Sequence, residues 1–262
     1  MPVCTLKAKV TEPRSFKQRL RKVMSPAERT RVLEDYISHL MLQWQDREAD
    51  LRWAELSWSL SNCVNSSNLL HQMERNLSVV LVRADGLDQA KHKVPRALTK
   101  THVFDRLWRP ALHCHMVWSH GFGLHFALSD PDTLKSTNNN WECIARMLDS
   151  VYHGLQSGFP HHLVILQDNC SRECKNGLIL SACTKLVALN VASAVTLAYP
   201  LKGHTHSPLD AVGGQAVVKC SGYEFDTAED LVDIYSKFLS QSITDAGTAR
   251  SKFAYKCTWF EV

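Results

Sequence analysis

The order of its apolar periodicities is what most constrains this chain. From Leu77 onward they read strand, strand, strand, helix, strand, helix, strand, helix. Leu77–Asp85 is a β-branched run, and Leu112–Gly121 with Phe122–Asp130 predicts a hairpin about Gly121-Phe122-Gly123. Asn138–Leu155 reads as a helix with asparagine caps, lining up Ile144, Leu148, Val151 and Leu155. A strand at Leu163–Leu166 follows, then a helix from roughly Ser171 to Leu189 and a strand at Ala194–Leu201. Gly203–Asp210 turns into a short helix, and Thr227–Leu239 is an amphipathic helix. This alternation predicts an α/β fold with a mixed sheet and crossover helices.

A helical segment precedes the sheet. Leu33, Tyr36, Ile37, Leu40, Met41 and Trp44 recur at spacings of three and four. Ser25 as cap, Pro26 at the first position and Glu28 in the first turn make a helix start. A long helix or helical hairpin is expected, broken by the polar cluster Ser61–Asn68. Residues 1–31 carry nine Lys/Arg against Glu12 and Glu28, so 9 − 2 = +7, and the remainder of a chain of net +4 is −3. A basic arm suits contact with a polyanion, or nuclear import through Lys17–Lys22; a solvated leader explains it equally well. The expected organisation is a basic arm over 1–31, a helical segment over 32–75 and an α/β domain over 76–262.

The 262 residues are 45% hydrophobic and 21% charged, enough for a large core. Met1–Val10 lacks the apolar stretch of a secretion signal. The longest apolar run, Leu186–Tyr199, is about 14 residues and too short for a bilayer, so no membrane association is expected. Nine cysteines without a CxxC pair suggest reduced thiols inside a cell. The histidines around His113–His115 lack the clamp spacing of a structural zinc. Trp44, Trp53, Trp58, Trp108 and Trp118 are expected to anchor the core.

Asp85 and Asp168 end strands, and Asp210 opens a helix. In α/β sheets functional groups gather at the carboxyl ends of strands. Three acids meeting there repel unless a cation lies between them, and hard Mg²⁺ or Mn²⁺ prefers such oxygen ligands. Each acid also has a plain structural reading. Asp168-Asn169 fits a turn and helix cap, Asp210 fits a helix dipole, and Asp85 fits a turn with Gly86. Asp88 competes with Asp85 as first acid. His206 is a candidate ligand, proton shuttle or phosphate contact, whereas His204 reads as a turn residue. Lys91, Arg96, Lys175 and Asn176 follow the acids and are candidate phosphate contacts; Cys170 and Cys174 are expected to be inert thiols.

Three blocks carry a resemblance: Ala84–Arg96 (ADGLDQAKHKVPR), Leu166–Asn176 (LQDNCSRECKN) and Leu201–Asp210 (LKGHTHSPLD). The arrangement resembles the ribonuclease H-like catalytic core of DDE/DDD transposases and integrases. More narrowly, it is similar to a domain family of eukaryotic transposon-derived proteins with D-G-x-x-x-x-K-x-x-x-P-R, D-N-x-x-x-x-x-K-N and G-H-T-H-x-x-x-D blocks. The resemblance covers roughly residues 76–240. It implies a ribonuclease H-like mixed sheet with flanking helices. It makes Asp85 the first-strand acid, Asp168 the acid after the fourth strand and Asp210 the acid of the last catalytic helix.

The expected function is a transposon-derived DDD-type nuclease or transposase domain, acting on phosphodiesters by two-metal chemistry with Mg²⁺ or Mn²⁺. DNA in the nucleus is the expected partner, and a homo-oligomer remains open. One alternative is a domesticated, inactive module that binds nucleic acid or supports assembly. Another is a metal-dependent phosphohydrolase for a small substrate, which needs a closed pocket.

Overall fold

The computed structural model describes residues 18–19, 21–22, 25–65, 78–87, 91–99, 106, 108–133, 136–155, 159–168, 170, 174–200, 208–245 and 254–260; for 63–65, 241–245 and 254–260 it describes the backbone alone. The elements are α1 (Pro26–Asn65), β1 (Val79–Gly86), β2 (His113–Ser119), β3 (Gly123–Ser129), α2 (Thr137–Gly154), β4 (His162–Gln167), α3 (Gly177–Ala188), β5 (Ala194–Ala198), α4 (Pro208–Cys220), α5 (Ala228–Asp245) and β6 (Ala254–Phe260).

The sheet order is β5-β4-β1-β2-β3-β6. β1, β4 and β5 are parallel, β2 is antiparallel to both β1 and β3, and β6 runs parallel to β3. The first five strands have the order and directions of the ribonuclease H-like fold expected from the sequence. β6 extends the β3 edge and was not anticipated.

β1 is covered on both faces, which explains its unbroken apolar start. Val80, Val82 and Ala84 pack with Leu163 and Ile165 under Ile144 and Met147 of α2 and Ile179 of α3. On the opposite face, Leu81 and Val164 meet Ala54 of α1. Farther along that face, Met116, Phe126 and Leu128 pack against Leu209 and Ala216 of α4 and Tyr235 of α5. Fully burying each such aliphatic side chain contributes about 1.5–3 kcal/mol.

Three local expectations change. α1 is one helix that continues through Ser61 to Asn65. It starts with the expected capping box: Glu28 accepts from the Ser25 N–H at 2.9 Å, and the Glu28 N–H donates to Ser25 Oγ at 3.3 Å. α2 is capped by Ser136 rather than an asparagine. α3 starts at Gly177, because Asn176 Oδ1 accepts from the N–H groups of Leu178 and Ile179 at 3.1 and 3.2 Å. The other end of the Asn176 amide donates to Thr137, tying the cap to α2.

The β2–β3 turn docks on α1. Gly121 has φ +85°, and a Cβ there would lie 2.2 Å from Ser61 Oγ. Both the backbone region and the close approach require glycine. Ser57 Oγ donates to the His120 carbonyl at 2.7 Å, fixing the same contact.

Candidate active site: three aspartates at the strand ends

The register of two parallel strands brings the first two acids together. Ala84 of β1 pairs with Gln167 of β4. Asp85 and Asp168 each lie one step further, on neighbouring strands about 4.8 Å apart. They share the face of Arg83 and Leu166, the face on which α4 packs. Asp210 sits in the first turn of α4, and its carboxyl hydrogen-bonds with that of Asp85.

Gly213 permits this approach. A Cβ at Gly213 would come within 2.5 Å of Leu87 Cδ2 and 2.8 Å of Met116 Cε. The missing side chain lets the first turns of α4 seat against the ends of β1 and β2. Leu209, beside Asp210, is fully buried in that contact.

The three charges act on one another. Burial, the largest cause, raises the Asp85 carboxyl from 3.8 to about 7. The Gly86 N–H, donating to Asp85 Oδ1 at 2.8 Å, opposes the rise. The charges of Asp210 and then Asp168 add to it. Asp85 therefore keeps its proton up to near neutral pH, and a cation that displaces that proton satisfies the same oxygens. The donors are all oxygen, which suits a hard divalent ion. The acids interact without forming a finished coordination set: among the described residues, no group of three or more His, Cys, Asp or Glu is disposed to hold a metal ion.

The cleft beside them is small. Arg83, Asp85, Leu166, Asp168, Pro200 and Leu209 line it, with about 30 Å³ of space. That is room for an ion or a few waters. Among the described residues the cleft is partly open to solvent and is not the closed pocket of a small-substrate phosphohydrolase.

Arg83 was not singled out in the sequence, although a charge inside an apolar strand run is its signal. It is 2% exposed. Its Nη1 lies 2.6 and 2.7 Å from the two oxygens of Asp50 on α1, and its Nε donates to His120 Nε2 at 2.9 Å. Burial and then the Arg83 charge lower His120 to about 3, keeping the ring a neutral acceptor. Trp118 stacks on that ring at 4.1 Å. The long helix is thereby clamped to the strand that carries Asp85.

The remaining candidates are more scattered. Asp168 is exposed and lies well ahead of the Asn176 cap, so it does not cap α3. Asn176 itself is the cap, which accounts for its side chain without a ligand. The Lys175 ammonium lies 5.5 Å over the Tyr199 ring. Lys91 is exposed, and the half-buried Arg96 guanidinium reaches the Lys91 carbonyl at 3.5 Å. His206, His204 and Asp88 lie outside the described residues. Two of the expected core tryptophans are instead on the surface: Trp44 is 60% exposed and Trp108 84%. No helix among the described residues is long and apolar enough to cross a membrane.

A family model described as a domain of unknown function (DUF7869) matches residues 105–257. No curated protein matches significantly. Among solved structures, the Mos1 transposase paired-end complex with left transposon end has 12% identity, covering 74% of this chain and 55% of that one, with a TM-score of 0.41. The Mos1 mariner paired end complex with Mn has 12% identity, 76% and 56% coverage and a TM-score of 0.40. The Mos1 strand transfer complex gives 12%, 76%, 56% and 0.39. The chain thus spans little more than half the length of these proteins. A likeness this distant says nothing of what the chain binds or does.

Proposed function

We propose that this chain, which belongs to the DUF7869 family, is a transposon-derived nuclease or transposase domain that acts on nucleic-acid phosphodiesters. One observation carries the reading: Asp85, Asp168 and Asp210 converge at the carboxyl ends of β1 and β4, with the Asp85 carboxyl raised to about 7. Acidic oxygen donors at that place, beside a cleft with room for an ion, support a divalent-ion site for phosphodiester chemistry.

Asp85, Asp168 and Asp210 would hold Mg²⁺ or Mn²⁺. Held there, such ions would supply activation of an attacking water or 3′-hydroxyl and neutralisation of the leaving oxygen. The chain's own part is positioning. β1 and β4 fix Asp85 and Asp168 side by side, and Gly213 lets α4 deliver Asp210. Lys91, Arg96 and Lys175 serve as phosphate contacts that orient the backbone. His206, four residues before Asp210 in sequence, would serve in proton transfer or as a phosphate contact. The basic arm over residues 1–31 adds long-range attraction to DNA and a nuclear import signal.

A second reading is favoured by the lack of a finished ligand set among the described residues. In it the domain binds nucleic acid or supports assembly without cutting. The two separate in one assay: labelled single-stranded and duplex DNA incubated with Mn²⁺, comparing the wild-type chain with Asp85→Asn and Asp168→Asn. Cleavage by the wild type that both substitutions abolish supports the nuclease. Binding without cleavage by any of the three supports the inactive module.

A further inference from the structure

Between β1 and β2 the chain leaves the sheet and returns to it at the end where Asp85 lies. The strands are antiparallel, with Asp85 opposite Met116. The excursion is built onto the fold at its base. Lys93 pairs with Ala111, and the Val94 and Leu112 N–H groups donate to the Pro110 and His92 carbonyls at 2.9 and 3.0 Å. Arg96 and Phe225 exchange both backbone hydrogen bonds, at 2.7 and 3.1 Å. The buried His92 ring meets the Tyr235 hydroxyl at 2.6 Å. The outer part carries Trp108, 84% exposed, beside Arg109 and near Arg106 in sequence.

The charge of this stretch is unlike that of the body. Residues 91–110 contain Lys91, Lys93, Arg96, Lys100, Arg106 and Arg109 against Asp105, so 6 − 1 = +5. With +7 on residues 1–31, everything else sums to 4 − 5 − 7 = −8. Beyond residues 1–31, the basic charge of an otherwise acidic chain is thus concentrated in the connection that follows Asp85, where Lys91, Lys93, Arg96, Arg106 and Arg109 are described.

We propose that Lys91, Lys93, Arg96, Arg106, Trp108 and Arg109, described residues of this connection, form a nucleic-acid interface in which Trp108 stacks on an unpaired base, so that the chain prefers single-stranded DNA at the end of the sheet that bears its aspartates. The inference rests on the reading of the chain as acting on nucleic acid. An exposed indole, flanked in sequence by Arg106 and Arg109, offers a base what an exposed ring supplies to single strands generally, a stacking surface on a connection rich in phosphate-attracting charges. A duplex hides its base faces and cannot use that surface.

The test is fluorescence anisotropy in EDTA, with the full chain and a labelled single strand of about 20 nucleotides or its duplex. Trp108→Ala is expected to weaken single-strand binding about tenfold. Duplex binding and the salt dependence should stay unchanged, and Trp108→Phe should restore most of the loss. Lys93→Gln should instead flatten the salt dependence by about 0.7 in log–log slope. Equal single-strand affinity of Trp108→Ala and wild type overturns the proposal, as does a wild type that binds no single strand or prefers the duplex. Mn²⁺ titration of Trp108→Ala keeps the two readings apart. Wild-type-like Mn²⁺ binding leaves the acid site standing even if the interface falls, and single-strand preference without Mn²⁺ binding leaves the interface standing alone.

Discussion

Asp85 and Asp210 come from the end of a central strand and the first turn of a late helix, yet their carboxyls share a hydrogen bond. That contact needs a proton, and the proton gives the site a pH signature. Asp85 has a folded value of about 7 against 3.8 for an unperturbed aspartate. Between those values the folded chain holds a proton that the unfolded chain has released. The associated stability is present below about pH 4 and is lost as pH rises through about 7. In metal-free buffer, the Tm of the wild type relative to Asp85→Asn should therefore fall between about pH 4 and pH 7 and level off above. A constant difference across that range, read by differential scanning calorimetry, contradicts the raised Asp85 carboxyl.

A side chain at Gly213 must displace its neighbours. Gly213→Ala places a methyl against the flexible ends of Leu87 and Met116, which can move aside, at an expected cost of about 1 kcal/mol. Gly214→Ala meets nothing within 4 Å and should stabilise by about 0.5–1 kcal/mol through helix propensity. Urea titration of the two variants checks the contrast. If Gly213→Ala proves as stable as Gly214→Ala, α4 does not seat where Asp210 needs it.

The clamp between α1 and β1 predicts a non-additive pair. Asp50→Ala strands the buried Arg83 charge and should cost on the order of 3 kcal/mol. Arg83→Met in the same background removes the stranded charge and should recover most of that loss. Chemical denaturation of the two singles and the double gives the coupling directly. Additive losses would mean that Asp50 and Arg83 do not stabilise one another.

Asn176 is predicted to matter for stability and not for ligand. Losing the α3 cap in Asn176→Ala should cost about 1 kcal/mol. The affinity for single-stranded DNA should remain that of the wild type. A Tm unchanged by the substitution together with weakened DNA binding would return Asn176 to the role of a phosphate contact.

Much of this arrangement is legible from the chain alone, and the exceptions have physical causes. Apolar runs such as Val79–Val82 and Leu163–Ile165 are long enough to mark central strands, and each is followed three residues on by an aspartate at the end of the sheet. The start of α3 was misplaced since Asp168-Asn169 and Asn176 are both good local caps. The choice falls to Asn176, whose amide also reaches Thr137 of α2, a contact that no local pattern reveals. Arg83 reads as an interruption of β1 until Asp50, from a distant helix, is seen to neutralise it. Trp108 reads as core because tryptophan usually is. Its ring is instead 84% exposed, on a connection whose base bonds to Phe225 and Tyr235. β6 alternates apolar residues with Lys256 and Thr258, too weak a pattern to stand out, and gains its place from pairing along β3.

The central claim is that the three aspartates take up a divalent ion, and calorimetric titration of Mn²⁺ into the wild-type chain and Asp168→Ala tests it most directly. Binding by the wild type that Asp168→Ala abolishes, while its thermal unfolding remains cooperative, is the predicted result. A folded wild-type chain that takes up no Mn²⁺, or an Asp168→Ala chain that binds it equally well, would contradict the claim.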